Sequence, residues 1–209
     1  PVKDGKPPYF PTPWSNRVAG TYGFTTVYPN LNLWENTKTQ SYTSTGTASN
    51  TSLALYYLDT DETKMIGNSV RITYNYAITN SVGTWSGTIR PTYRFAGTNY
   101  PVSNSNLSGS VSQLISNVTA NTVVNKNYAL NVVGLPAGTT VTITNLKVEF
   151  GSIATPYMPS ASEVTTSDYP SYIGQYSDFT QADSTNPSDY TWSLIRGNDG
   201  KDGATGPQG

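Results

Sequence analysis

The chain has 209 residues, 35% of them hydrophobic and 12% charged, with a formal net charge of −1. No run of lysine or arginine exceeds two, so the basic stripe that a nucleic-acid partner demands is missing. Cysteine and histidine are absent, which excludes disulfides, thiol chemistry, the commonest zinc ligand and the commonest general base. No apolar run approaches the roughly 20 residues of a membrane span, so no membrane insertion is expected.

In chain order, the opening "KDGKPP" (residues 3–8) echoes "KDGATGP" near the other end. Pro1 falls mid-motif, as in a segment of a longer protein. "PYFPTPWSN" follows, then "GFTTVYPN" at 23–30. Residues 30–160 then read as short strands. "SLALYYL" (52–58) is one. In "NSVRITYNYAITN" (68–80), Val70, Ile72, Tyr74, Tyr76 and Ile78 share one face, and Arg71, Thr73, Asn75 and Ala77 the other. "GTWSGTIRPTYRF" (83–95) repeats the pattern, with Trp85, Ile89, Tyr93 and Phe95 inward and Thr88, Arg90, Thr92 and Arg94 outward. "GSVSQLISNV" (109–118) is the single helix candidate, since Val111, Leu114, Ile115 and Val118 fit a helical stripe. "NYALNVV" (127–133) and "TTVTITNLKVEF" (139–150) close the set. Turn residues separate the strands, which together predict an all-β sandwich or jelly roll.

After the strands, "EVTTSDYPS" (163–171) mirrors "GFTTVYPN", as if the sandwich were inserted into a small module. Trp14 and Trp192 would anchor that module's core. The chain closes with glycine at 197, 200, 203, 206 and 209, the period of a collagen triple helix, in which only glycine fits the axis. A flexible glycine-rich tail is the alternative. The expected layout is a collagen-like stub (1–8), a first stalk part (9–29), the sandwich (30–160), a second stalk part (161–196) and a Gly-X-Y start (197–209).

Few charges and many Ser, Thr, Asn and Tyr make a surface suited to neutral polar ligands, because aromatic faces stack on sugar rings and amides and hydroxyls bond their oxygens. Alternation places Arg71, Asn75, Arg90 and Arg94 on outer sheet faces, where a guanidinium also suits phosphate or uronate groups. Trp34, Tyr56 and Tyr100 lie near strand ends, and Tyr100, in a polar loop, is the leading stacking candidate. A solvated sheet face is the plainer alternative for each. "LDTDETK" (58–64) lacks the glycine of a calcium loop. "NTS", "NLS" and "NVT" at 50, 106 and 117 match a glycan-acceptor pattern that arises by chance in such a composition.

"NLNLWENTKTQ" (30–40) and "ITNLKVEFGSIATPYMPSASE" (143–163) resemble the opening and closing strands of carbohydrate-binding-module-like jelly rolls in tail proteins of siphophages of Gram-positive bacteria. The usual closing form reads roughly "LKLEKG..AT.W.PAPE", with Phe150 here for the second Lys and Tyr157 for the Trp. "YIGQYSDFTQADSTNPSDYTWSLIRGNDGKDG" is similar to a short module that alternates with Gly-X-Y rods in host-recognition proteins of streptococcal and lactococcal phages. The resemblance implies a virion tail protein, a homotrimer that contacts other tail proteins and binds a host cell-wall or cell-surface polysaccharide. It implies no cofactor, beyond a structural Ca²⁺ that related modules hold near the positions of Glu35 and Glu149. A glycan hydrolase is disfavoured because Glu149 is the sole acid on a confident strand and has no evident partner. A structural spacer that binds no glycan is the other alternative.

Overall fold

The computed structural model describes residues 3, 7–46, 54–90, 99–120 and 127–195. Arg94, its neighbours 92–95, Asn50 and the Gly-X-Y run lie outside the described residues. The chain divides into two compact units, Pro1–Tyr28 with Tyr169–Gly209, and Pro29–Asp168. Every regular element among the described residues is a strand or a short 3-10 turn. Strand β1 (Trp14–Ser15) belongs to the smaller unit. The larger unit holds β2 (Trp34–Glu35), β3 (Thr39–Thr43), β4 (Ala54–Leu58), β5 (Val70–Thr79), β6 (Ser86–Arg90), β7 (Tyr100–Ser103), β8 (Ser108–Ile115), β9 (Asn127–Ala129), β10 (Asn131–Val133) and β11 (Thr140–Phe150). The chain then returns to the smaller unit with β12 (Tyr172–Gln175) and β13 (Thr191–Leu194).

In the larger unit, one antiparallel sheet has the order β3-β11-β5-β8. Opposite it, β2-β4-β9 and β10-β6-β7 are joined through Leu130, which alone separates β9 from β10. With β9 and β10 counted as one strand, successive strands from β3 to β11 alternate between the layers except at the β6–β7 hairpin, as in a jelly roll. Side-chain alternation builds the core. On β5 every second residue from Val70 to Ile78 is buried, and Val141 and Ile143 of β11 continue that face. Asn145, at φ 52°, breaks the register between Thr144 and Lys147. Asparagine tolerates that left-handed conformation better than most residues. Beyond the bulge the outer side chains of β11 are Lys147 and Glu149, both fully buried.

The expected helix at 109–118 is corrected: Ser108–Ile115 is β8, paired with β5 from Ala77↔Ser108 to Val70↔Ile115. Val111 and Ile115 point inward, whereas Leu114 is exposed. Eight residues of ladder hydrogen bonding and an apolar period of two or four outweigh a short helical stripe built from β-favouring residues.

Tyr56 and Tyr74 are interior residues, and burial pushes both phenol pKa values well above the ordinary tyrosine value. Above about pH 10 the unfolded chain releases these protons while the folded one holds them. Stability is therefore present below pH 10 and falls as pH rises further, by about 1.4 kcal/mol per pH unit for each tyrosine. Urea titrations between pH 9 and 12 should show this slope, flattened in a Tyr56→Phe/Tyr74→Phe variant. An unchanged slope in that variant would assign it elsewhere.

The smaller unit has a sheet of order β1-β12-β13, closed by Trp14↔Ile173 and Gly174↔Trp192. Its strands come from both sides of the inserted sandwich. Trp192 donates from Nε1 to the Pro187 carbonyl at 2.9 Å and packs with Phe24 and Tyr190. Trp14 sits edge-on to Tyr28, with ring centroids 5.4 Å apart. Gly20, at φ +67°, lies where a Cβ would come within 2.5 Å of Pro187 and 2.7 Å of Trp192, so only glycine fits beneath this cluster.

Candidate functional site

The outer face of the four-stranded sheet is rich in hydroxyls, because most of its outward positions are Thr or Ser. Thr39, Ser41 and Thr43 of β3 stand opposite Thr144, Thr142 and Thr140 of β11. Ser41 and Thr142 share a hydrogen bond of 2.8 Å, and Thr43 and Thr140 one of 3.0 Å. On the next strands Thr73 pairs with Ser112 and Asn75 with Ser110, whose hydroxyl donates to Asn75 Oδ1 at 2.6 Å.

A groove of about 330 Å³ opens on this face, its floor formed by Thr73, Asn75, Ser110 and Ser112, with Asn145 and Tyr157 at its side. Its size falls at the lower end of the range for small-ligand sites. The Tyr157 hydroxyl bonds Thr37 Oγ1 at 3.2 Å, and the Lys38 ammonium lies 4.7 Å from the ring centroid. Burial raises the Tyr157 pKa; the Thr37 hydrogen bond opposes this, and Glu163 and Asp168 add to it. The phenol is thus neutral at physiological pH, an apolar ring face with a hydrogen-bonding tip.

Tyr157 is held there by the segment that leaves β11 and folds back over its outer side. Lys147 Nζ donates to Thr155 Oγ1 at 2.6 Å and to the Pro156 carbonyl at 2.7 Å, and pairs with Glu149 Oε2 at 3.2 Å. Glu149 also accepts from the Thr155 backbone N–H at 2.8 Å, the Thr155 hydroxyl at 2.6 Å and Asn30 Nδ2 at 3.1 Å. Burial lowers the Lys147 pKa, and the neighbouring Glu149 carboxylate works against that shift. The pair clamps residues 155–156, next to Tyr157.

Of the residues expected at a binding site, Asn75 lines the groove and Arg71 stands one row away on the same strand. Arg71 is tethered: Nε donates to the Ser152 carbonyl at 3.0 Å, Nη2 donates to the same oxygen, and Nη1 donates to Ser112 Oγ at 3.3 Å. Arg90 does not join it. It lies on β6, in the opposite sheet, where its Nε donates to Asn99 Oδ1. Two strands adjacent in sequence but placed in different layers turn their outer faces in opposite directions, so the expected arginine surface is corrected to two separate positions.

Burial corrects a further expectation, and strand pairing another. Trp34 and Tyr56 are fully buried and stack on each other at 6.1 Å, as core rather than contact surface. Tyr100 is the first residue of β7, opposite the buried Ile89, and its ring packs 5.5 Å from Tyr76. Strand pairing turns it toward the core, away from a loop tip. The two acids expected near a calcium ion have other partners. Glu35 lies on β2 and accepts from Ser162 Oγ at 2.7 Å, whereas Glu149 already has the Lys147 ammonium as its counter-charge. Among the described residues no three acidic side chains gather as metal ligands would. Asp61 instead caps a 3-10 turn through the Thr63 N–H.

Tyr157 is the residue that strand alternation missed, since it lies past the last strand. Its signal in the sequence was its place in the "ATPYMP" exit. A second groove, of about 570 Å³, runs between β6, β7 and β10 past Ser86, Thr88, Pro101 and Asn106, and no aromatic side chain lines it among the described residues. No helix among the described residues is long and apolar enough to cross a membrane.

No protein-family profile matches the chain, and no curated protein sequence matches it. Among solved structures it is similar to a chain of the tripod (BppUct-A-L) from the baseplate of bacteriophage Tuc2009, with 27% sequence identity and a TM-score of 0.67. The match covers 92% of this chain and 80% of that one, so both units are included. The likeness is to a phage baseplate component.

Proposed function

We propose that this chain is an adhesion module of a phage tail, carried on the virion, whose jelly roll binds a host cell-surface polysaccharide without cleaving it. The observation that carries the proposal is the groove at Tyr157: one aromatic face set beside a floor of hydroxyls and an amide. Such a surface bonds sugar hydroxyls by exchange with its own and covers an apolar ring face with a phenol. The likeness to a baseplate tripod chain supports the setting, and the Gly-X-Y repeat supports a homotrimer, since three chains make a collagen helix. Three weak sites on one rod gain avidity without new contacts. A non-catalytic role is supported by the groove lining, which among the described residues includes no carboxylate.

The test is binding of the labelled chain across a panel of streptococcal and lactococcal strains. Strain-selective labelling, competed by soluble polysaccharide from the labelled strains and with no new reducing ends, is the expected result. Uniform background over the whole panel would favour a structural spacer; released reducing ends would favour a hydrolase.

A further inference from the structure

We infer that two exposed apolar pairs, Leu194–Ile195 and, at the opposite end of β12, Tyr9–Phe10, form the contacts by which two further copies of this chain join it about a threefold axis. The inference rests on the trimer proposed above and assigns it a surface. Phe10 is 69% exposed, Leu194 52% and Ile195 50%, an uncommon cost in a unit with so small a core. Their backbones are nevertheless fixed. Tyr9 N–H bonds the Asp178 carbonyl at 2.8 Å, Ile195 N–H bonds the Ser171 carbonyl at 2.8 Å, and Leu194 is in register with Tyr172.

Position relative to the glycine repeat supplies the occupant. Gly197 follows Ile195 by two residues, a span of at most about 7 Å. In a triple helix the glycines lie at the axis, so each copy of Ile195 is held within roughly 10 Å of it. Three exposed apolar pairs brought that close in water are driven together by burial. Tyr9 and Phe10 directly follow the "KDGKPP" echo, at the far end of β12 from Leu194. β13 is moreover the edge of its sheet, with an outer row of backbone groups that a neighbouring copy would cover.

Light scattering coupled to size exclusion, on the full 209-residue chain, tests this. The unaltered chain is expected to run as a trimer. Leu194→Asp/Ile195→Asp is expected to run as a monomer at concentrations at least about 100-fold higher, a shift equivalent to losing two buried aliphatic side chains per copy. Ile153→Asp, equally exposed but in the larger unit, should remain trimeric. Phe10→Asp and the milder Leu194→Ser/Ile195→Ser should weaken association in the same direction, and circular dichroism checks that each variant keeps its strand content. A trimeric unaltered chain whose Asp and Ser variants stay trimeric would overturn these contacts alone. An unaltered chain that is monomeric throughout would overturn the trimer and the contacts with it. Glycan binding by a monomeric variant at single-site affinity separates either outcome from failure of the adhesion role.

Discussion

Replacing Lys147 by alanine is expected to destabilise the jelly roll by about 3–5 kcal/mol. Glu149 has no exposed surface, and Lys147 is its one ion-pair partner among the described residues. Removing the ammonium leaves a carboxylate desolvated and without a counter-charge. A Lys147→Met/Glu149→Leu double variant should recover most of the loss, because an apolar pair of similar volume avoids both desolvation costs. Urea denaturation of Lys147→Met, Glu149→Leu and the double variant gives the coupling directly. A cost below about 1 kcal/mol for Lys147→Ala would mean that the segment reopens to water and that the clamp is not structural. The same variant should also weaken glycan binding. Lys147 holds the Pro156 carbonyl, one residue from Tyr157, and is thus a positioning residue for the groove. Rescue of binding by Lys147→Arg, alongside rescue of stability, would separate this role from general unfolding.

Truncating Tyr157 to alanine is expected to lower polysaccharide binding by about 10-fold or more, as loss of a central aromatic contact commonly does. Ser110→Trp should abolish binding by filling the groove from the neighbouring strand. Ser110 is exposed on β8, so its replacement leaves the core untouched and the melting temperature nearly unchanged. Asn75→Ala should have a smaller effect in the same direction, and Arg90→Ala none, because Arg90 belongs to the opposite sheet. Titration of each variant against polysaccharide from a labelled strain reads all four. If Arg90→Ala costs more than Tyr157→Ala, the binding face lies on the other layer, near the second groove.

Only part of this site was legible before the fold was known. Asn75 and Arg71 were readable as outward residues because strand β5 alternates without interruption over ten positions. Tyr157 was not, since it belongs to no periodic element. Its place depends on the Asn145 bulge and on the Lys147–Glu149 pair that draws the exit segment across the sheet. Trp34 and Tyr56 misled for a related reason: a strand end is a position in sequence, whereas burial depends on which layer lies opposite.

What the sequence determined by itself was therefore local. Period-two alternation dictated strands and their inner faces, since each side chain on a pleated backbone must point to one side or the other. Glycine and asparagine marked the turns, and the absence of histidine, cysteine and basic runs removed whole classes of chemistry. Tertiary structure decided everything that depends on which strands become neighbours. It made residues 108–115 a strand by giving them β5 as a partner. It sent Arg71 and Arg90 to opposite sides of the sandwich, and it turned Tyr100 inward against Tyr76. Strand pairing joins residues far apart in sequence, such as Thr43 with Thr140, and no local pattern carries that information. The hydroxyl-lined groove exists because such distant pairs bring their outward faces into a single surface.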